Sequence, residues 1–350
     1  MAVSTQIKYL TRREWDEVAP QFSDLSYRQC GSYAEIAARD VNSISEFVAI
    51  FRSNSLLGLA NVRLKKMRFF PLGIAYLSGA PLTCSTLGFS SEAFGACIDA
   101  LYLEYVKNRS LMLRISPPLC GGHWHEAQAD CLEARGFQLS RGQKPYETYV
   151  LDLNKPAADI RKAFDQKWRS DLVKAEKSNI DVTTSVSPSD FERFEPLFLD
   201  LSREKGFYSR QDVAFFRRVQ EQAHSYEQLT LHLAWHDGEL ISGHIGSFSG
   251  DTAVYLIGAT NSKGRDLRAS YLLQWFVIQY AQSKGKRFYD LGGIDLHANP
   301  NVHRFKKRLN GRHVTGMTAY ELAPNPLSAQ ALHLAEKAYN GLRSLVRRNT

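Results

Sequence analysis

Cysteine is scarce in this chain. There are five in 350 residues, at positions 30, 84, 97, 120 and 131, an odd number with no CxxC spacing. That excludes a disulfide framework and a cysteine-rich zinc site, and fits reduced, mostly buried thiols. Long apolar runs are missing too: none approaches the roughly 18 residues of a membrane-spanning helix. The opening MAVSTQIKYLTRREWDE lacks the apolar core of a secretory signal, so the expected compartment is the cytoplasm. No GxSxG, GxxxxGK(S/T) or HExxH occurs, which removes the esterase elbow, the P-loop and the zincin helix. RGG tracts, zinc knuckles and known DNA-binding modules are absent, and no DNA partner is expected. His123-Trp124-His125 sets two imidazoles two residues apart, but no Cys or carboxylate nearby completes a ligand set, so no metal is expected.

What remains is ordinary globular composition, 44% hydrophobic and 23% charged, at a length that suggests two domains. The net charge of +8 favours polyanionic partners. Its densest expression is a predicted helix opened by Asn154 and Pro156. Ile160, Phe164, Trp168 and Leu172 form one i+4 row there, with Arg161, Lys162, Lys167, Arg169, Lys174 and Lys177 on the other faces.

A pattern occurs twice. The first copy runs from the apolar strand at 56–62 to a second strand at 73–77. It continues through a helix at about 91–107, with Phe94, Ile98, Leu101, Tyr102 and Tyr105 on one face, to a strand at 111–115. The second copy opens at Glu239-Leu240-Ile241-Ser242-Gly243 and passes through a strand at 253–258. A helix follows, with Ser270 as predicted N-cap and Lys284-Gly285 as its stop, and then the strand Arg287-Phe288-Tyr289-Asp290-Leu291 before Gly292-Gly293. Strand, turn, strand, helix, strand in the same order is the mark of a diverged tandem repeat. The ten histidines show no partner recognisable by spacing and read as structural or solvated.

Residues 255–309, YLIGATNSKGRDLRASYLLQWFVIQYAQSKGKRFYDLGGIDLHANPNVHRFKKRL, resemble the second-domain core of the Fem family (FemA, FemB, FemX). Gly73 to Pro81, Lys167 to Val182 and Leu201 to Phe207 are similar to further family segments. The resemblance implies a mixed α/β (α+β) fold of two tandem GNAT-like domains, each a central mixed sheet flanked by helices. The expected division is 1–150 plus a C-terminal helix at 325–350, then 151–324 with the catalytic motif. The long helical hairpin of some members is not expected, since no helical pattern of that length lies between Asp200 and Tyr255.

The resemblance also implies an activity: an amino acid passes from aminoacyl-tRNA to an amine of a UDP- or lipid-linked muropeptide, directly, without a covalent enzyme intermediate or a cofactor. A lipid-linked acceptor implies a peripheral approach to the membrane surface. Carried over by motif, Phe305 and Lys306 contact the tRNA end and stabilise the transition state. Arg304, Lys307 and Arg268 supply electrostatic support to tRNA phosphate. Arg203 is the carried-over acceptor phosphate ligand, suited to bidentate binding; Tyr208 and Tyr255 line the same cleft, and Arg39 reaches it from the first domain.

Two other readings stay open. An acyl-CoA-dependent GNAT acyltransferase of envelope or polysaccharide synthesis cradles pyrophosphate on a Gly-rich helix start. Here that stretch is Arg265-Asp266-Leu267-Arg268-Ala269-Ser270, with Arg268 where the backbone needs to approach phosphate closely. A degenerate, non-catalytic binding module is the third.

Overall fold

The computed structural model describes residues 5–67, 72–84, 88–116, 125–140, 145–209, 211–297, 299–316 and 318–348. His123 and Trp124 lie outside them. The strands are β1 (Thr5–Leu10), β2 (Ile44–Arg52), β3 (Ser55–Lys66), β4 (Gly73–Ser78), β5 (Met112–Ser116), β6 (Gln138–Leu139) and β7 (Glu147–Asp152). They continue as β8 (Asp181–Ser185), β9 (Leu229–His236), β10 (Glu239–Ser247), β11 (Thr252–Thr260), β12 (Phe288–Asp290), β13 (Arg312–Thr315) and β14 (Tyr320–Leu322).

Two seven-stranded mixed sheets result, ordered β1-β2-β3-β4-β5-β14-β6 and β13-β7-β12-β11-β10-β9-β8. The repeat is real at the level of topology. In the first sheet the antiparallel pair β3/β4 is followed by the helix Ser91–Leu101 and the parallel pair β4/β5. In the second, antiparallel β10/β11 is followed by the helix Ala269–Ser283 and parallel β11/β12. A parallel neighbour requires a crossover, and one helix supplies it in each half. The chain passes to the second sheet at β7 and returns to the first at β14. The terminal helix Pro326–Arg348 then stays beside the first sheet, where Arg114 of β5 pairs with Glu321 and Glu336.

Two expected helices form differently. The basic helix breaks in two, Ala157–Ala163 and Gln166–Glu176. Asp165 accepts hydrogen bonds from the backbone N–H groups of Lys167 and Trp168, capping a new helix where a continuous one was expected. The i+4 row is still buried, because Ile160, Phe164, Trp168 and Leu172 all enter one core. The helix expected to be capped by Ser270 begins at Ala269 instead, with Arg268 as N-cap in the left-handed region, φ 62°.

The halves share a core. Tyr33, Ile36 and Ala37 of the helix Gly31–Arg39 pack with Phe191, Phe194, Phe215 and Phe216 of the second half. Beside them, Arg12 bonds to Asp16 and Glu35 of its own half and to the buried Glu227 of the other. Removing either partner of such a pair strands a buried charge, so this network fixes how the halves meet.

Candidate active site

The site begins where two strands part. β11 runs nine residues to Thr260, but β12 pairs with it only from Phe288 to Asp290, opposite Thr252 to Val254. β12 stops because the chain turns at Gly292, φ 77°, where a Cβ would lie 2.7 Å from the carbonyl oxygen of Tyr255. Only glycine tolerates both the left-handed backbone and that approach. Asp290 holds the turn: its carboxylate accepts from the Gly292 N–H at 2.8 Å and the Thr148 hydroxyl at 2.5 Å. Burial raises the Asp290 carboxyl above the usual carboxylate range.

The helix Pro300–Lys307, with proline at its start, brings Phe305 and Lys306 to this gap. Lys306 is only 6% exposed. Its Nζ donates to the carbonyls of Gly292 at 3.1 Å and Gly293 at 2.9 Å, and sits 5.0 Å from the centre of the Tyr255 ring. An ammonium has three N–H groups, so one remains beyond those two carbonyls. Burial lowers the amine to about 8, partly opposed by the nearby Asp290 carboxylate. Burial likewise pushes the Tyr255 hydroxyl up to about 12.

β10, β11 and the helices Ala269–Ser283 and Pro300–Lys307 line a cavity of about 230 Å³, with Lys306, Phe305, Tyr255, His244, Gln274 and Arg265 among its residues. Phe305 is partly buried against Tyr271 and Trp168, at 5.0 and 5.8 Å between ring centres. That stack ties the Lys306 helix to Gln166–Glu176 and holds its angle. Arg304 and Lys307, on the other faces of the helix, are exposed. Chemically, the arrangement offers a cation of lowered basicity, held by carbonyls in a largely apolar cleft. That suits it to stabilising negative charge as it develops on a bound acyl group.

The other expected residues lie elsewhere. Arg268 is outside the cavity lining; its guanidinium bonds to the Arg265 carbonyl at 2.6 Å and approaches Asp171 at 3.4 Å. Arg203 is 74% exposed and pairs with Asp200 at 2.9 Å. Tyr208 is exposed in the segment after the same helix. Arg39 bonds to Gln222 at 3.0 Å on the surface. None of these four joins Lys306 and Tyr255 at the cavity.

Sequence reasoning passed over Arg28. Its guanidinium bonds to the Tyr27 hydroxyl at 3.0 Å and lies 5.5 Å from the Tyr27 ring and 5.9 Å from the Tyr146 ring. Tyr146 in turn covers Gly293, 3.1 Å from where a Cβ would stand. An arginine of the first half is thus one aromatic ring away from the glycine turn that holds Lys306. The neighbouring phenols Tyr27, Tyr33 and Tyr76, together with its own hydrogen bond, hold its pKa above the ordinary arginine value. The available signal was Tyr27-Arg28-Gln29 directly before the helix that joins the halves. His232 and His244 were also missed, and prove to be a buried pair.

Paired sheets with a parted parallel strand and a crossover helix define the GNAT acyltransferase fold. Residues 161–307 match the GNAT acetyltransferase domain family. Within that class the chain is Fem-like. It is 25% identical over 166 residues, 47% of this chain, to a UDP-N-acetylmuramoylpentapeptide-lysine N(6)-alanyltransferase of Weissella viridescens. It is 33% identical over 69 residues, 20% of this chain, to a lipid II:glycine glycyltransferase of Staphylococcus saprophyticus. The matched stretches span 48% and 17% of those relatives. The crystal structure of FemX superposes with a TM-score of 0.76 at 17% identity, over 91% of this chain and 97% of that one, a likeness of fold. Among the described residues no helix is long and apolar enough to cross a membrane.

Proposed function

We propose that this chain is a non-ribosomal aminoacyltransferase that moves an amino acid from aminoacyl-tRNA to an amine of a muropeptide precursor. The observation that carries this reading is Lys306, buried at the mouth of parted strands with two N–H groups tied to the Gly292-Gly293 turn. An aminoacyl ester is already activated, so no enzyme nucleophile is needed. The neutral acceptor nitrogen attacks the ester carbonyl, the C–N bond forms, and the carbonyl oxygen becomes an oxyanion beside Lys306. The C–O bond to the ribose then breaks, and the ribose oxygen takes a proton that the nitrogen gives up. Arg304 and Lys307, exposed beside the cavity, suit contact with tRNA phosphate. Arg28 suits an acceptor diphosphate better than Arg203, because Arg28 lies one aromatic ring from the glycine turn and Arg203 faces solvent. A lipid-linked acceptor would bring the protein to the membrane surface.

Arg268 bears on the alternative donor. It holds the left-handed position at the start of Ala269–Ser283, where its side chain folds back onto Arg265. A CoA pyrophosphate needs that approach open, so the observation favours tRNA over acyl-CoA. The test is a donor panel: radiolabelled aminoacyl-tRNAs, and separately acetyl-CoA, each with UDP-linked muropeptide. Transfer from aminoacyl-tRNA supports the reading and names the amino acid. Transfer from acetyl-CoA alone replaces it with an acyl-CoA enzyme, and transfer from neither replaces it with a binding module.

A further inference from the structure

The helix Pro326–Arg348 turns one side to the protein and leaves the other bare. Leu332 is buried, His333 bonds to Glu321, and Glu336 pairs with Arg114 at 2.7 Å, so these three positions mark the inward side. At about 100° per residue, the opposite side carries Leu327, Ala331, Leu334 and Ala338, spaced i, i+4, i+7 and i+11. All four are exposed, Leu327 at 77% and Leu334 at 68%. They form an apolar stripe about three turns long. A lone exposed leucine needs no explanation, but leucines repeated on one helix face do.

Charge says what covers the stripe. Lys337 stands exposed beside it, and the same helix carries Arg343, Arg347 and Arg348. Against these four cations the helix has one acid, Glu336, which is turned inward onto Arg114. An apolar face on a basic helix, with no acid on its outward side, suits the headgroup layer of an anionic bilayer. A nucleic acid would meet the cations and leave the leucines in water. A second copy on a two-fold axis would cover the leucines but bring like cations together, with no acid of the helix to meet them.

The helix also sits on the side of the first sheet that leads to Arg28. Arg63 of β3, Tyr76 of β4, Arg114 of β5 and Glu321 of β14 are successive register partners, so they share one face of that sheet. Pro326–Arg348 holds this face through Arg114 and Glu321. Leu59, four residues before Arg63 on the same strand and face, packs with Cys30 and Ala34 at the start of Gly31–Arg39. Arg63 lies 4.9 Å from the Tyr76 ring. Burial raises the Tyr33 hydroxyl, and Arg28 and Arg63 both oppose that rise, which sets the two guanidiniums about one phenol. The Tyr33 ring is 5.1 Å from that of Tyr27, whose hydroxyl accepts from Arg28. One face of the first sheet thus runs from the bare helix to the arginine near the glycine turn. Resting on the acyl-transfer reading for its acceptor, we propose that the outward face of Pro326–Arg348 lies on an anionic phospholipid bilayer and that a lipid-linked acceptor reaches Arg28 from there.

The test is flotation with vesicles of phosphatidylcholine containing about a quarter phosphatidylglycerol, and with vesicles of phosphatidylcholine alone. Wild type is expected to bind the anionic vesicles about 10-fold more tightly than the neutral ones, and less tightly as salt rises. Leu327→Gln combined with Leu334→Gln should weaken that binding by about 10-fold or more. Both side chains are exposed, so turnover with UDP-linked muropeptide should stay within about 2-fold of wild type. Lys337→Glu should weaken binding to the anionic vesicles by about 10-fold and leave the neutral ones unchanged. Wild type that does not float, or a double variant that floats as well as wild type, overturns the proposal. Self-association of wild type in sedimentation that the double variant loses, without vesicle binding, also overturns it and makes this face a subunit contact. With lipid-linked muropeptide in the anionic vesicles, the double variant should raise KM by about 10-fold; an unchanged KM overturns the route to Arg28. If wild type floats but transfers from no donor, the acyl-transfer reading fails while the membrane contact stands.

Discussion

Replacing Lys306 by methionine separates function from stability. The wild-type amine falls from the ordinary 10.5 to about 8 on folding, because burial penalises its charge. The folded state therefore binds the proton less tightly than the unfolded chain. A depressed lysine destabilises below its folded value, and the cost is relieved as pH rises from about 8 toward 10.5. A shift of that size is worth about 3 kcal/mol at neutral pH. Methionine removes this cost but also the bonds to the Gly292 and Gly293 carbonyls, worth about 1 kcal/mol each. At pH 7 the variant should thus be more stable than wild type by about 1 kcal/mol, and near pH 10.5 less stable by about 2. Urea unfolding at both pH values measures this. The pH-dependent change of about 3 kcal/mol does not depend on what the two bonds are worth. A stability difference that stays constant with pH would refute the burial of a charged amine. Turnover of the variant should fall by roughly 10²-fold if Lys306 stabilises the oxyanion; near-wild-type turnover removes it from the mechanism.

Gly292→Ala should cost about 2 to 3 kcal/mol in chemical denaturation, from a left-handed alanine pressed on the Tyr255 carbonyl, and should lower kcat by loosening Lys306. Arg28→Ala should raise KM for UDP-linked muropeptide by about 10-fold or more, while Arg203→Ala changes it by less than about 3-fold; the reverse order in steady-state kinetics restores Arg203 as the phosphate ligand. Arg304→Ala and Lys307→Ala should each weaken aminoacyl-tRNA binding and lower the slope of log affinity against log salt by about 1. Filter binding across a salt series checks it, and an unchanged slope places those charges outside the tRNA contact.

Much of this was legible from residue order. Periodicity showed the strand-helix-strand repeat, and Gly292-Gly293 marked the end of its last strand. The family resemblance singled out Phe305 and Lys306, and both line the cavity. The repeat is readable from spacing because strand and helix faces are local properties, decided within a few residues. Arg268 shows the limit, since a favourable N-cap serine at 270 lost to a left-handed arginine whose side chain bonds to Arg265 and reaches Asp171 from another helix. Arg28 could not be ranked above Arg203 from sequence, because only the meeting of the halves sets it beside Tyr146. The histidine pair is the sharpest case. β9 and β10 form a hairpin whose Asp237-Gly238 turn sets His236 opposite Glu239. Carried inward unchanged, that register would put His232 opposite Gly243. A bulge between Leu240 and Ser242 shifts it by one, so that His232 meets His244. Sequence by itself determined the repeat and the glycine pair that ends its last strand. Tertiary structure decided the bulge, the face the imidazoles share and the cavity they adjoin, because an extra residue in one strand moves every cross-strand partner beyond it and only packing selects where it goes.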